Sequence, residues 1–431
     1  MFEHSSTRAA HRRSPAFVTL VAVFVAVDFI VGIPAAVAAD AMPLTLDDAL
    51  RLAETDQPVL TGQQAAIRAA EEAKVSASQL PDPKLKLGLI NVPVAGPDAF
   101  SLTSDFMTMR MVGVMQEFPR ESKRRLKGEL AEIDRQQKSL ELATTRRSIR
   151  RDVALAWVEA WHAQRAVSVA EVLQKETERQ LDSLGVALKS GKATQADVLS
   201  ARIGMDLLRD RTADLARGSA TARAELSRWI GAQADRPLPA DQPVLPPPMS
   251  MEELMTHIQS HPHLSAYDKQ VALAETEVEL ARKGSVPDWS VEVSYNVRGS
   301  PYADMVSVQF GIDLPIFQQN RQVRDVSNKI ALADRARAMR ADNLREMEAM
   351  VKRHFAEWRS ALERIERYRA SILPQATQRV EVALSAYRSG RGDLAAVLDA
   401  RRAELDLRMQ QIMLETEAAK AQVQIVFYDQ Q

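Results

Sequence analysis

Apolar positions follow two different periods along this chain, and the two alternate. From Thr45 to Ser78 they recur at helical spacing, which predicts an amphipathic helix. Leu80-Pro81-Asp82-Pro83 ends it, and alternation follows at Leu85, Leu87 and Leu89, the period of a strand with one apolar face. A turn-rich stretch separates this run from a second, which closes at Gln116-Glu117-Phe118-Pro119. The second half restates the order: Met251 to Lys283 reads as helix, Val286-Pro287-Asp288 interrupts, and alternation resumes at Val291, Val293 and Tyr295. Its last run ends at Ile312-Asp313-Leu314-Pro315. The predicted strands are approximately Lys84 to Val92, Met107 to Glu117, Trp289 to Val297 and Val306 to Leu314.

Each half then opens into a helical pattern of unusual length. Arg120 to Lys189 holds no proline and only Gly128 and Gly185 as weak points, so it predicts one rod of about 100 Å. Its apolar stripe is narrow, with Leu126, Leu130, Ile133 and Leu140 early and Ile149, Val153, Trp157 and Trp161 later. Such a stripe buries one seam against neighbouring helices, as in a coiled coil. Arg321 to Tyr387 repeats the pattern, with a kink predicted at Pro374. The rods reverse at Lys189-Ser190-Gly191 and Arg388-Ser389-Gly390 into return helices of about 35 residues. The pairs Pro81 and Pro287, Pro119 and Pro315, and Gly191 and Gly390 recur at nearly constant separation, the mark of an internal two-fold repeat. The chain therefore divides into a first repeat over residues 39–236, a Pro-rich linker over 237–249, and a second repeat over 250–431.

Residues 1–38 read differently. Arg8, Arg12 and Arg13 precede a mostly apolar run from Phe17 to Val31, and small residues follow at Ala35, Ala36, Ala38 and Ala39. This is the order of a secretory signal, with Ala36-Val37-Ala38 as the cleavage motif. No later segment is apolar for long enough to predict a transmembrane helix. The chain has no cysteine, which excludes disulfides, thiol catalysis and an acylated N-terminal cysteine. With 56 basic and 57 acidic side chains the net charge is −1, which offers no footprint for nucleic acid. G-x-S-x-G, P-loop and H-E-x-x-H motifs are absent and the carboxylates are spread along helices, so neither an enzyme nor a bound cofactor is expected.

The strands carry the functional argument. Each has about the 9–11 residues that a tilted strand needs to cross a bilayer. Four strands cannot close a barrel, and open edges are costly in lipid, so a membrane role requires several chains to share one barrel. Pattern alone leaves open a soluble alternative, a periplasmic coiled-coil scaffold capped by two hairpins.

The duplicated plan, together with Gln116-Glu117-Phe118-Pro119 followed by Lys123-Arg124-Arg125, and Tyr387-x-x-Gly390 followed by Asp393-Leu394 and Val397-Leu398-Asp399-Ala400, resembles the TolC-like outer-membrane efflux proteins. Within them it is most similar to the branch serving heavy-metal exporters of the cobalt-zinc-cadmium and copper-silver type. The resemblance covers essentially the whole chain after the signal. It implies a mainly α fold with a small β part: a long coiled-coil α-barrel continuous with a transmembrane β-barrel that a homotrimer completes from four strands per chain. It implies a passive duct in the outer membrane of a Gram-negative bacterium, in contact with outer-membrane lipid. Substrate, heavy-metal cations on the branch resemblance, would arrive from an inner-membrane resistance-nodulation-division pump through a periplasmic membrane-fusion adaptor. Organic-compound efflux and type I secretion are alternatives within the same family. The family closes the tunnel's inner end through a Tyr, Asp residues and basic partners. The matching positions are Asp197, Tyr387 and Asp399, with Arg391 beside Gly392, where a basic residue can occur, and Ala396 where a second Asp can occur. Carboxylate rings suit a cation duct.

Three weaker signals complete the reading. Met107, Met109 and Met111 alternate in one strand and could form a soft-metal ladder, but Thr108 and Arg110 opposite them predict that the methionines face lipid and the polar set the lumen. His261-Pro262-His263 lacks the further ligands of a metal site and reads as a solvated pair. Lys123-Arg124-Arg125 either anchors the start of the rod or meets the membrane interface.

Overall fold

The computed structural model describes residues 42–55, 57–182, 194–300 and 302–429. The export signal and the first reversal at Lys189-Ser190-Gly191 lie outside the described residues. In chain order the elements are α1 (Leu46–Thr55), α2 (Pro58–Ala77), β1 (Lys84–Ile90), β2 (Met109–Phe118), α3 (Glu121–Asp182) and α4 (Gln195–Ile230). They continue as α5 (Met251–His257), α6 (Pro262–Lys283), β3 (Trp289–Arg298), β4 (Met305–Ile312), α7 (Gln322–Arg367), α8 (Leu373–Arg388) and α9 (Leu394–Asp429).

Proline sets several of these boundaries. The stretch expected as one helix from Thr45 to Ser78 is two, because Pro58 opens α2 and Gln57 before it is extended, at φ −111° and ψ 110°. Met251 to Lys283 breaks likewise: His261 is extended ahead of Pro262, after a short 3₁₀ turn over Ile258–Ser260. At Pro374 the outcome differs. A π-turn over Tyr368–Ile372 precedes α8, and the Leu373 amide donates to the Tyr368 carbonyl five residues back. The wider turn makes room for the proline ring without ending the helix.

The rod α3 has 62 residues and α7 has 46, with α8 prolonging α7 beyond the π-turn. Nearest the strands, α2, α3, α6 and α7 lie side by side; farther away the neighbours of α3 are α4 and α9, and α9 packs in turn on α7 and α8. Separate apolar clusters follow one another along the rods. The largest buries Trp157 and Val153 of α3 against Leu44, Ala49 and Leu226. Trp157 Nε1 donates to the Leu44 carbonyl at 3.0 Å and Trp161 Nε1 to that of Pro239 at 2.8 Å, so both indoles find partners for their one donor. A second patch sets Ala166, Ala170 and Leu173 of α3 on Leu405, Met409 and Ile412 of α9.

The sheet is an antiparallel meander in the order β1-β2-β3-β4, and among the described residues both outer strands have a free edge. Its register places Leu87, Val112, Tyr295 and Val306 in one row and Leu85, Val114, Val293 and Val308 in the next. These side chains share one face, with Leu87 70% and Phe310 75% exposed. The other face carries Lys86, Glu292, Ser294, Asn296, Ser307 and Gln309. Lys86 Nζ donates to Glu292 at 2.6 Å across it. The expected orientation of the methionines is reversed. Met109 and Met111 lie on this polar face, Met111 between Gly88 and Asn296, whereas Arg110 shares the apolar face with Val112 and Val114; Met107 precedes the strand. In β2 both faces hold large apolar residues, and only the neighbouring strands distinguish them.

The joint between sheet and rods is polar. Asp288, just before β3, accepts from the Arg120 amide at 2.9 Å and from Lys123 Nζ at 2.8 Å, and Lys123 also donates to the Val286 carbonyl at 2.7 Å. Lys123 thus anchors the start of α3 to the other half of the chain.

Candidate aperture at the helical tips

α4 starts just after Thr194 and α8 ends at Arg388, and helix-capping chemistry dominates at both places. Thr194 and Asp197 form a reciprocal box at the start of α4: Asp197 Oδ2 accepts from the Thr194 amide and hydroxyl, both at 2.7 Å, and the Asp197 amide donates to Thr194 Oγ1 at 3.2 Å. The hydrogen bonds from Thr194 hold the Asp197 carboxyl below the usual carboxylate range. At the other tip Gly390 adopts φ +73°, and the Arg391 amide returns to the Ala386 carbonyl at 2.9 Å. Asp393 Oδ1 then accepts from the Ala396 amide at 2.8 Å and caps α9. A Cβ on Gly392 would lie 3.1 Å from that of Ala386, so the turn packs tightly at Gly392.

The four residues singled out from sequence occupy different settings. Tyr387 packs on the cluster of Ala201, Leu394 and Val397 that joins α4, α8 and α9. Asp197 belongs to its cap, and Arg391 is exposed on the turn. Asp399 is exposed at a groove of about 500 Å³ between α4 and α9. Among the described residues no hydrogen bond joins any two of the four. The groove also holds Asp210, Asp214 and Asp406 with Arg211, Arg401 and Arg402, four carboxylates with Asp399 against three guanidinium groups. Exposed Ile203 and Leu207 of α4 line it too.

Sequence reasoning missed the best-connected charge near the tip. Glu404 of α9 is only 1% exposed, and its carboxylate receives Thr377 Oγ1 at 2.9 Å, Arg401 Nη1 at 3.0 Å and Arg408 Nη2 at 2.8 Å. Burial disfavours its charge, but the hydrogen bonds from Arg408 and Thr377 and the charges of Arg408 and Arg401 outweigh this and keep its pKa below normal. Arg401 also reaches Glu176 of α3 at 3.2 Å, so one network ties three helices. The i, i+3 and i+4 spacing of Arg401, Glu404 and Arg408 was visible, but their burial was not.

Nearer the middle of the rods, α3, α4, α7 and α9 enclose an open cleft of about 1280 Å³ in which Asp152, Glu159 and Glu357 face Arg228, His354 and Lys420. Its mixed charge and openness differ from the enclosed, mostly apolar pockets that hold small ligands. His162 and His261, buried at 2% and 4% exposure, are pushed down to about 4, chiefly by burial. His261 is therefore a packed residue, with rings of Phe427 and Tyr428 beside it, rather than the solvated histidine expected.

The fold is that of outer-membrane channel proteins. CusC, whose crystal structures concern its folding and transmembrane channel formation, matches with a TM-score of 0.74 at 14% identity, over 90% of this chain and 92% of that one. A membrane protein from Pseudomonas aeruginosa gives 0.76 at 17%, over 89% and 92%, and the CmeC outer membrane channel of Campylobacter jejuni gives 0.74 at 12%, over 89% and 85%. By sequence, residues 255–428 match the family described as outer membrane efflux protein. No curated protein matches the sequence.

Proposed function

We propose that the protein is the outer-membrane channel of a tripartite efflux system, a passive duct rather than an enzyme. The observation that carries this reading is the sheet: four strands, one face apolar and exposed, two edges free, on rods far longer than one domain's core requires. Burying each large side chain of that face is worth about 1.5–3 kcal/mol, so lipid is its natural surroundings. Three copies would close twelve strands and leave no edge. The polar face then lines the lumen, and the rods assemble into a duct across the periplasm. A periplasmic adaptor and an inner-membrane pump of the resistance-nodulation-division type supply substrate and energy. The gate lies at the helical tips, where Asp197, Tyr387, Arg391 and Asp399 approach their counterparts on neighbouring chains. Heavy-metal cations are the substrate this reading favours, supported by the sequence resemblance and by the excess of carboxylates in the tip groove.

The test is localisation and assembly, followed by challenge. Washed outer membranes should retain the protein as a trimer that dissociates only on heating in detergent. A deletion strain should then lose resistance to one or more salts in a panel of divalent and monovalent metals, with drugs as comparison. Recovery of the chain wholly in the periplasmic extract would support the soluble scaffold and end the channel reading; sensitivity confined to drugs would replace the substrate and keep the channel.

A further inference from the structure

The loop joining β1 to β2 lies against the end of β3 and the β3–β4 turn. Arg298, the last residue of β3, pairs with Met109 in the register and so points to the polar face. Its Nη2 donates to the Phe106 carbonyl at 2.7 Å, its guanidinium lies 5.0 Å from the centre of the Tyr302 ring, and Nη1 is 3.8 Å from Met305 Sδ. The rings of Phe106 and Tyr302 are 6.4 Å apart. Gly299 permits this close approach, since a Cβ there would collide with the Thr103 carbonyl. Internal bonds stiffen the loop: the Phe100 amide donates to the Pro93 carbonyl at 2.7 Å, Ser101 Oγ accepts from Ser104, and Asp105 accepts from Met107 and Thr108.

What this held loop presents is apolar. Val94, Phe100 and Phe106 are largely exposed, Phe100 at 73%, and Leu102 is partly so; Phe100 is held at φ +60°, a conformation costly for a large side chain. An exposed apolar group on a rigid, inward-leaning loop needs a surface to cover it. We infer that these loops form an outer lid: in the shared barrel, three copies lean over the lumen and meet through Phe100 and its apolar neighbours, with Arg298 as the latch that holds each loop inward. The partner of the patch is the same loop on a second copy of this chain. The inference rests on the shared barrel proposed above.

The chain has no cysteine, so a single introduced thiol reports the contact cleanly. Phe100→Cys in outer-membrane trimers should cross-link two chains on mild oxidation or with a short bis-maleimide, while Val244→Cys, at an exposed position of the Pro-rich segment, should not. Adding Arg298→Gln should lower the yield about tenfold, the population shift expected when a charge-assisted hydrogen bond is lost. Lysine cross-linking of the same samples verifies the trimer. An intact trimer in which Phe100→Cys stays unlinked overturns the lid, and a yield unchanged by Arg298→Gln overturns the latch. A chain that forms no trimer at all overturns the shared barrel itself, and the lid with it.

Discussion

Val308 and Gln309 are adjacent in β4, both exposed in the single chain, and differ only in the face they occupy. Val308 stands opposite Val293, whose other neighbour is Val114, in the middle of the apolar face; Gln309 stands opposite Glu292 on the polar one. Arginine at each position therefore asks the same chemical question of two environments. If the apolar face meets lipid, Val308→Arg near the middle of the strand costs about 2–4 kcal/mol per chain. Gln309→Arg, in a lumen that already carries Lys86 and Glu292, costs nothing measurable by comparison. At 1.4 kcal/mol per decade the difference is a factor of roughly 30 to 700 in folding equilibrium. Urea titration of the protein refolded into vesicles reads this directly, and the heating temperature at which trimers dissociate gives a second measure. In water both substitutions would be surface changes within about 0.5 kcal/mol. Equal stability of the two variants would therefore refute the assignment of faces and the membrane role of the sheet together.

Other consequences can be checked separately. Glu404→Ala leaves Arg401 and Arg408 facing each other without their shared carboxylate, and should destabilise the tip by about 3 kcal/mol, seen as faster proteolysis near residues 377–408. Thr194→Ala removes the cap of α4 and should cost about 1 kcal/mol, measurable as increased amide exchange in its first turn. His162 and His261 are held neutral when folded, with pKa values near 4 against 6.5 when unfolded, so the stability they contribute is present above pH 6.5 and is lost as pH falls towards 4. That loss is roughly 3 kcal/mol each, and His261→Gln should flatten the fall of dissociation temperature with pH. Replacing Asp197 and Asp399 by Ala should raise single-channel conductance and weaken cation preference in planar bilayers; unchanged values would remove both from the gate.

Long-range order was legible because long, uniform apolar periods mark it. Strand ends fall within two residues of expectation at most boundaries, and both return helices, at 36 residues each, match the periodicity. The failures are local and have physical causes. At Pro58 and Pro262 the apolar period continues across the break, so the period outvoted the proline. In β2 the alternation of Met109 and Met111 with Val112 and Val114 is apolar on both faces, and pairing with β1 and β3 decides the outcome. At the tip, the Thr194-x-x-Asp197 spacing is that of a capping box, and Asp197 serves its own helix there. Glu404 is hidden for a different reason: its burial depends on Thr377 of α8 and on α3, contacts that no single stretch encodes.

Asp288 clamps the root of the first rod to the strand entry of the other half through Arg120 and Lys123. A root held this way makes the rod a lever. Over about 95 Å of helix, a tilt of only 5° displaces the free end by about 8 Å, enough to separate side chains that touch across an opening. In the proposed trimer the distant end would therefore dilate widely while the sheet scarcely moves. Cutting the Asp288 clamp should spread that swing into the β-strands, so that leakage arises at the membrane and not at the tip.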